Sequence, residues 1–283
     1  TYFPFGDSSS IPTYELFNQV KKKTNVALGG DGGDEIFFGY LSFKGFYLAH
    51  LIRSFVPIFL IKFIKIFSSK IKITTNYLGF KKKIKYFFKF LDKKLFLINN
   101  YWISNFDETD VRDYFNKKKV GLSPEFKKIQ KIYNKNNDEM KFAQIYYMKY
   151  FLPLILTKID YSSMLNSVES RSPFLSKDLV NFSVDLPSNK NFSFFKNRKL
   201  MKNIFYYQLS NYNDVKKHGF AFNKYSVLKK ERLIKKMINK DLILNLDFFN
   251  KKYDDYLSGN YDNEQYLWNE IILNFSRQNL ECE

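Results

Sequence analysis

The chain has 283 residues, 45% of them hydrophobic, so a sizeable core can form in one large domain or two small ones. A single cysteine, Cys282, beside the last residue, excludes an internal disulfide framework and a cysteine metal site. It fits a reducing compartment, and a cytoplasmic location is expected. The formal net charge of +18 comes from 40 lysines against 6 arginines, in a chain with only four alanines. Arginine is the residue that makes bidentate phosphate and base contacts. Its scarcity argues against a specific nucleic-acid partner, and the lysines read as solvated faces written by an A/T-rich genome.

Residue 1 is Thr1, and nothing near it has the layout of a secretory signal, so the sequence is expected to begin partway through a longer protein. Residues 1–12 read as a loop in which Asp7, Ser8, Ser9 and Ser10 suit a helix N-cap and Pro12 suits a first turn. Tyr14, Phe17 and Val20 recur at helical spacing and predict a helix from Pro12 to Lys22, closing in a lysine run that suits a C-terminus. Asn25–Leu28 is a short apolar run that predicts a buried strand. A loop rich in glycine and acid follows, from Gly29 to Glu35. Ile36–Phe67 is apolar and aromatic, interrupted by Arg53, Pro57, Lys62 and Lys65. A membrane span needs about 20 predominantly apolar residues and tolerates central charge poorly. A packed helix pair is therefore expected instead of a span, with a helix lying on a membrane surface as the alternative. Residues 68–140 carry lysine clusters and aromatics at loose helical spacing, broken near Asn76–Gly79 and Gly121–Pro124. Residues 141–185 alternate helical patterns with a cluster of polar residues, and Asn223–Glu283 reads as helical. There is no internal repeat. The whole reads as one domain, with a strand-and-loop start over 1–40 and a mainly helical remainder over 41–283.

Residues 28–35 read Leu-Gly-Gly-Asp-Gly-Gly-Asp-Glu, three carboxylates in five residues among four glycines, just past a predicted strand. Ligands of open α/β sheets sit at the carboxyl ends of strands. Glycine lets the backbone come close to a ligand and turn its N–H groups toward phosphate oxygens. Carboxylates beside a polyphosphate repel it unless a cation lies between, and Mg²⁺ takes one or two carboxylates with phosphate oxygens. The loop thus reads as the metal side of a nucleotide site. The competing reading is a solvated turn whose acids favour the first turn of a helix starting near Asp34.

Gly29-Gly30-Asp31-Gly32-Gly33-Asp34-Glu35-Ile36-Phe37-Phe38-Gly39-Tyr40 resembles the S-G-D/E-G-G/S-D-E-L/V-F-G-G-Y signature of asparagine synthetases. Upstream, Pro4 to Tyr14 resembles that family's P-F-x-D-x-S-x-x-P-T-Y segment. Residues 152–175 resemble its L-x-x-x-L-x-K-x-D-R-x-S-M-x-x-S-x-E-x-R-x-P-F-L-D stretch, with Tyr161 in the place of Arg and Ser176 in the place of Asp. Within that stretch Lys158, Asp160, Glu169 and Arg171 are four charges in an apolar region. They read either as a substrate wall or as a buried ion network that positions helices. Residues 196–202 resemble the G-K-x-x-L-R segment that carries the family's catalytic lysine, with either Arg198 or Lys199 in its place. Lys216–Phe220 resembles R-x-K-x-G-F and reads as structural, and His218 has no ligand cluster in sequence to make it a metal site.

The resemblance implies the last strand or two of a Rossmann-like ATP-pyrophosphatase layer, truncated, with a mainly helical C-terminal extension. The family's S-G-G-x-D-S loop and its cysteine-led glutaminase domain are not in this sequence, so the chain alone is expected to be inactive. The intact parent is expected to be a ligase that amidates aspartate through β-aspartyl-AMP, with ammonia from glutamine and with ATP and Mg²⁺. By the same resemblance Asp34 takes Mg²⁺–pyrophosphate and Asp31 activates acyl transfer. Gly29, Gly30, Gly32, Gly33 and Glu35 take the nucleotide and pyrophosphate. An amidotransferase acting on another carboxylate, such as one on a surface sugar, and an inactive fragment are the alternatives. No transmembrane span is expected, and a homodimer is left open.

Overall fold

Apolar residues spaced three and four apart make most of this chain helical, and the structure, a computed structural model, bears that out. It describes residues 4–71, 79–104, 106–117, 123–208, 222–239, 243 and 245–281. In chain order the elements are α1 (Ser10–Lys21), β1 (Val26–Leu28), α2 (Gly33–Ile36), α3 (Leu41–Phe55) and α4 (Ile58–Ser69). There follow α5 (Phe80–Phe90), α6 (Ile98–Ser104), α7 (Glu108–Phe115), α8 (Pro124–Lys135) and α9 (Glu139–Tyr146). A π-turn over Tyr147–Phe151 leads into α10 (Leu152–Met164), then β2 (Glu169–Arg171), α11 (Lys177–Asp185), α12 (Ser188–Asn191) and α13 (Lys199–Gln208). The last elements are α14 (Lys224–Leu228), α15 (Glu231–Met237), α16 (Leu246–Leu257) and α17 (Glu264–Glu281). These elements fall into two compact units, one of residues 9–54 and 127–222, the other of residues 1–8, 55–126 and 223–283. Lys216–Phe220, with His218, and Cys282 lie outside the described residues.

The unit of residues 9–54 and 127–222 holds the sheet. β1 and β2 pair in parallel, with Val26 opposite Glu169, Ala27 opposite Ser170 and Leu28 opposite Arg171. The predicted strand exists, but it is not buried: Val26 is 41% exposed and Leu28 75%. Both point to one face of a two-stranded ladder, and that face is uncovered. The core lies to one side, where α3 presents Phe43, Phe46 and Ala49 as one buried stripe. Phe43 packs on Tyr147 at 4.6 Å between ring centroids and Phe46 on Phe142 at 5.9 Å. The expected capping serine works differently. Ser9 stands at the N-cap of α1, but its hydroxyl makes no cap; its carbonyl takes the Thr13 hydroxyl at 2.7 Å.

α2 is a single turn, and its end is secured by side chains. The Ile36 carbonyl accepts from Gln144 Nε2 on α9 (2.9 Å), Ser183 Oγ on α11 (3.0 Å) and Asn191 Nδ2 on α12 (2.7 Å). All three donors are buried. A helix end leaves its last carbonyls without intrahelical partners, and burying one unsatisfied is costly.

The unit of residues 1–8, 55–126 and 223–283 is built on α16 and α17. Leu228, Ile234, Phe249, Tyr253, Tyr256, Leu267 and Ile271 form its core cluster. α7 starts in a capping box that the sequence reading did not register: Asp107 accepts from the amides of Thr109 and Asp110, and Asp110 accepts from the Asp107 amide. Buried Lys82 on α5 lies 3.7 Å from buried Glu264 on α17, and Lys85 2.6 Å from Asp262. α4 packs against α5. The apolar stretch that predicted a packed helix pair does form two helices, divided at Pro57. α3 belongs to one unit, where its aromatic stripe is buried, and α4 to the other, where it contacts α5 and buries Ile61 and Ser68. No helix among the described residues is long and apolar enough to cross a membrane.

The convergence on Ile36 makes a direct forecast. Gln144→Met keeps the side chain's length and removes its donor to both the Ile36 carbonyl and Ser183 Oγ. Leaving buried acceptors short of a donor is expected to cost about 2 kcal/mol, read as a lower urea midpoint at unchanged slope. A loss under about 0.5 kcal/mol would mean that Ser183 and Asn191 suffice.

Candidate active site

The site begins where β1 ends. The Gly29 amide donates to the Arg171 carbonyl at 2.7 Å, carrying the ladder one residue past the strand. The chain then turns through Gly30 and Gly32 into α2. Gly32 has φ +87°, and a Cβ there would lie 2.2 Å from Leu175 Cδ2, so the turn requires glycine on two counts. Phe174 flanks Gly33 from the segment after β2. The carboxyl ends of both parallel strands thus meet at the acidic loop, where α/β folds place their ligands.

Two cations from distant positions act on two of its acids. Asp31 is half-buried, and burial pushes its carboxyl upward while Lys158 pulls it down. Lys158 on α10 also donates to Ser9 Oγ at 3.0 Å. Arg198 Nε lies 2.6 Å from Asp34 Oδ1. That pair is built around Gly39. Its amide donates to the Asp34 carbonyl at 2.8 Å, and its own carbonyl accepts from Asn197 Nδ2 at 3.1 Å. A Cβ on Gly39 would sit 1.9 Å from Asp34 Oδ1 and 2.9 Å from Arg198 Nε. Arg198 itself is in the left-handed region, φ 51°, at the start of α13.

The third acid faces the other way. Glu35 is 1% exposed and accepts from the Tyr40 hydroxyl at 2.8 Å. Burial pushes its carboxyl up, and the charges of Asp34 and Asp31 push it further. It was expected to contact the nucleotide; a buried carboxylate bound to its own turn supports the loop from beneath instead.

Of the remaining candidates, Lys199 turns aside, its amine 3.4 Å from the Asn189 carbonyl. Asp160 is exposed on α10. The buried ion network expected around Glu169 and Arg171 is not formed. They lie two apart on a strand, so they share a face and pair with each other at 2.9 Å, both more than half exposed. They flank the loop as a solvated wall. Sequence reasoning assigned no role to Gly39 or Asn197, although Gly39 stands inside a quoted signature, and it gave Ser9 a helix cap only. Among the described residues no group of three or more His, Cys, Asp and Glu could hold a metal ion by itself. Mg²⁺ arriving with a nucleotide needs only one or two carboxylates, and Asp31 and Asp34 are donors of that kind.

A glycine-and-carboxylate turn at the carboxyl ends of parallel strands, backed by a lysine and an arginine, is the arrangement with which α/β proteins hold anionic ligands. The chain belongs to the asparagine synthase family, whose model matches residues 1–277, a family of ATP-dependent ligases. It is similar to a putative glutamine-hydrolysing asparagine synthetase 2 of Methanocaldococcus jannaschii, with 38% identity over 76 residues. That match covers 27% of this chain and 14% of the archaeal protein. No solved structure matches.

Two outcomes follow from the geometry. Gly39→Ala is expected to separate Asp34 from Arg198 and cost about 1–3 kcal/mol in urea unfolding, as overpacked sites do. Glu35 has a folded-state pKa above its unfolded one. Its stabilising contribution is therefore present below the ordinary glutamate range and is lost as pH rises through the folded value. Glu35→Gln keeps an acceptor for Tyr40 and is expected to flatten the fall in Tm as pH rises above the ordinary glutamate range. An unchanged profile would show that Glu35 is not the group responsible.

Proposed function

We propose that this chain supplies the carboxylate side of an asparagine synthase active site. In the full-length protein, the aspartate side-chain carboxylate attacks the α-phosphorus of ATP and pyrophosphate leaves. Ammonia derived from glutamine then displaces AMP from the β-aspartyl-AMP ester. The observation that carries this reading is the pairing of Arg198 with Asp34 on a glycine loop whose Asp31 lies within the field of Lys158. Such a reaction asks the protein to neutralise phosphate charge and to hold two reactants in place.

Asp34 would hold Mg²⁺ bound with pyrophosphate, and the ion would supply neutralisation of phosphate charge. Asp31 serves the acyl-transfer steps: a half-buried carboxylate with a raised pKa is suited to accept a proton from attacking ammonia. Arg198, by its contact with Asp34, takes the place of the family's lysine in preference to Lys199. Gly29, Gly30, Gly32 and Gly33 let the backbone approach the phosphates. The two-stranded parallel ladder fits the end of a Rossmann-like ATP-pyrophosphatase layer.

The test is made on the full-length protein, by following AMP and labelled asparagine from ATP, aspartate and ammonium. Asp34→Asn is expected to lower kcat/KM by about 100-fold or more, and Arg198→Ala by a similar factor. Lys199→Ala should stay within about threefold of the parent. AMP release that does not depend on aspartate would move the assignment to another carboxylate substrate.

A further inference from the structure

α4 is turned inside out. Its inward stripe is Ile61, Lys65 and Ser68, with Lys65 bonded to both oxygens of Asp92 at 2.9 Å and Ser68 buried. Its outward surface is apolar. Phe55 just before it is 81% exposed and Phe59 66%, with Phe63, Ile66 and Phe67 beside them. An ordinary surface helix does the reverse, burying its apolar stripe and leaving lysines in water. Exposed apolar clusters of this kind mark interaction sites.

The charge around the patch says what kind of surface it fits. Residues 55–91 contain nine lysines and no aspartate, glutamate or arginine, in a chain that holds 28 acids elsewhere. Exposed Lys62, Lys70, Lys81 and Lys83 lie on and beside α4 and at the start of α5. We propose that α4 lies in the interface of an anionic lipid bilayer, phenylalanines among the acyl chains and lysines at the headgroups. This combination, large apolar side chains with lysines on a helix too short to span, is what interfacial helices share. A second copy of the chain would bring the same lysines against one another without a carboxylate to pair them. A nucleic-acid backbone would leave the phenylalanines in water.

The measurement is sedimentation of the whole 283-residue chain with vesicles. One set is phosphatidylcholine alone, and one contains about 30 mol% phosphatidylglycerol. Binding is expected with the anionic vesicles, at least tenfold stronger than with the neutral ones, weakened but not abolished between about 0.1 and 0.5 M salt. Phe59→Glu with Phe63→Glu should lower it at least tenfold. Lys81→Gln with Lys83→Gln should lower it severalfold and flatten the salt dependence. Among the described residues Phe63 meets the Phe67 ring at 4.8 Å and Phe59, Lys81 and Lys83 make no ring contact, and circular dichroism is to check the fold of each variant. Three results would overturn the proposal. The chain fails to bind anionic vesicles, the phenylalanine variant binds as well as the parent, or that variant turns a vesicle-indifferent dimer into a monomer.

Discussion

Three helices reach one backbone oxygen. The Ile36 carbonyl, held by Gln144, Ser183 and Asn191, is where the acidic turn is fixed to the body that carries it. A four-residue helix has no stability of its own, since nucleating a helical turn costs more than one hydrogen bond returns. α2 therefore exists because α9, α11 and α12 close on its end. Everything that follows inherits this: the direction of Asp34, the return of the chain at Gly39, and the burial of Glu35 under Tyr40.

The electrostatics of the loop follow from that placement. Crowding three carboxylates onto one turn raises the free energy of each, and the fold answers differently for each. Asp31 is set beside Lys158, Asp34 against Arg198, and Glu35 is withdrawn from water onto a hydroxyl. Two are left addressed by cations at the ladder's end. The third is spent on rigidity. The acids are near in sequence, but their partners come from positions 158 and 198, so the site belongs to the tertiary structure of the unit.

Much of this was legible in the sequence. The glycine-acid run after a short apolar stretch marked the loop, and α1, β1 and the helical tail lie where periodicity put them. Other features were hidden for physical reasons. Period alone cannot tell a buried strand from an exposed edge, and Val26 and Leu28 read as interior although a two-stranded ladder leaves their face open. Glu169 and Arg171 looked like charges in need of distant partners because they stand in an apolar region of the sequence. On β2 they are neighbours. A segment so rich in lysine does not say which of Arg198 and Lys199 faces the acidic loop; the 2.6 Å distance from Arg198 to Asp34 is a tertiary feature. Gly39 was visible as a letter of the signature, but its reason, the absence of a Cβ between two charged groups, is a matter of ångströms.

The ladder also carries a kinetic consequence. β1 and β2 pair residues about 140 positions apart in the chain, and the loop's cations come from the far side of that gap. Closing so long a loop lowers entropy before any strand pairing offsets it. Asp31 and Asp34 therefore gain their cations only when residues far along the chain are brought back to the loop. The constellation assembles late, together with the packing of α9 to α12, and a chain interrupted before residue 198 would display its carboxylates without the arginine that faces Asp34.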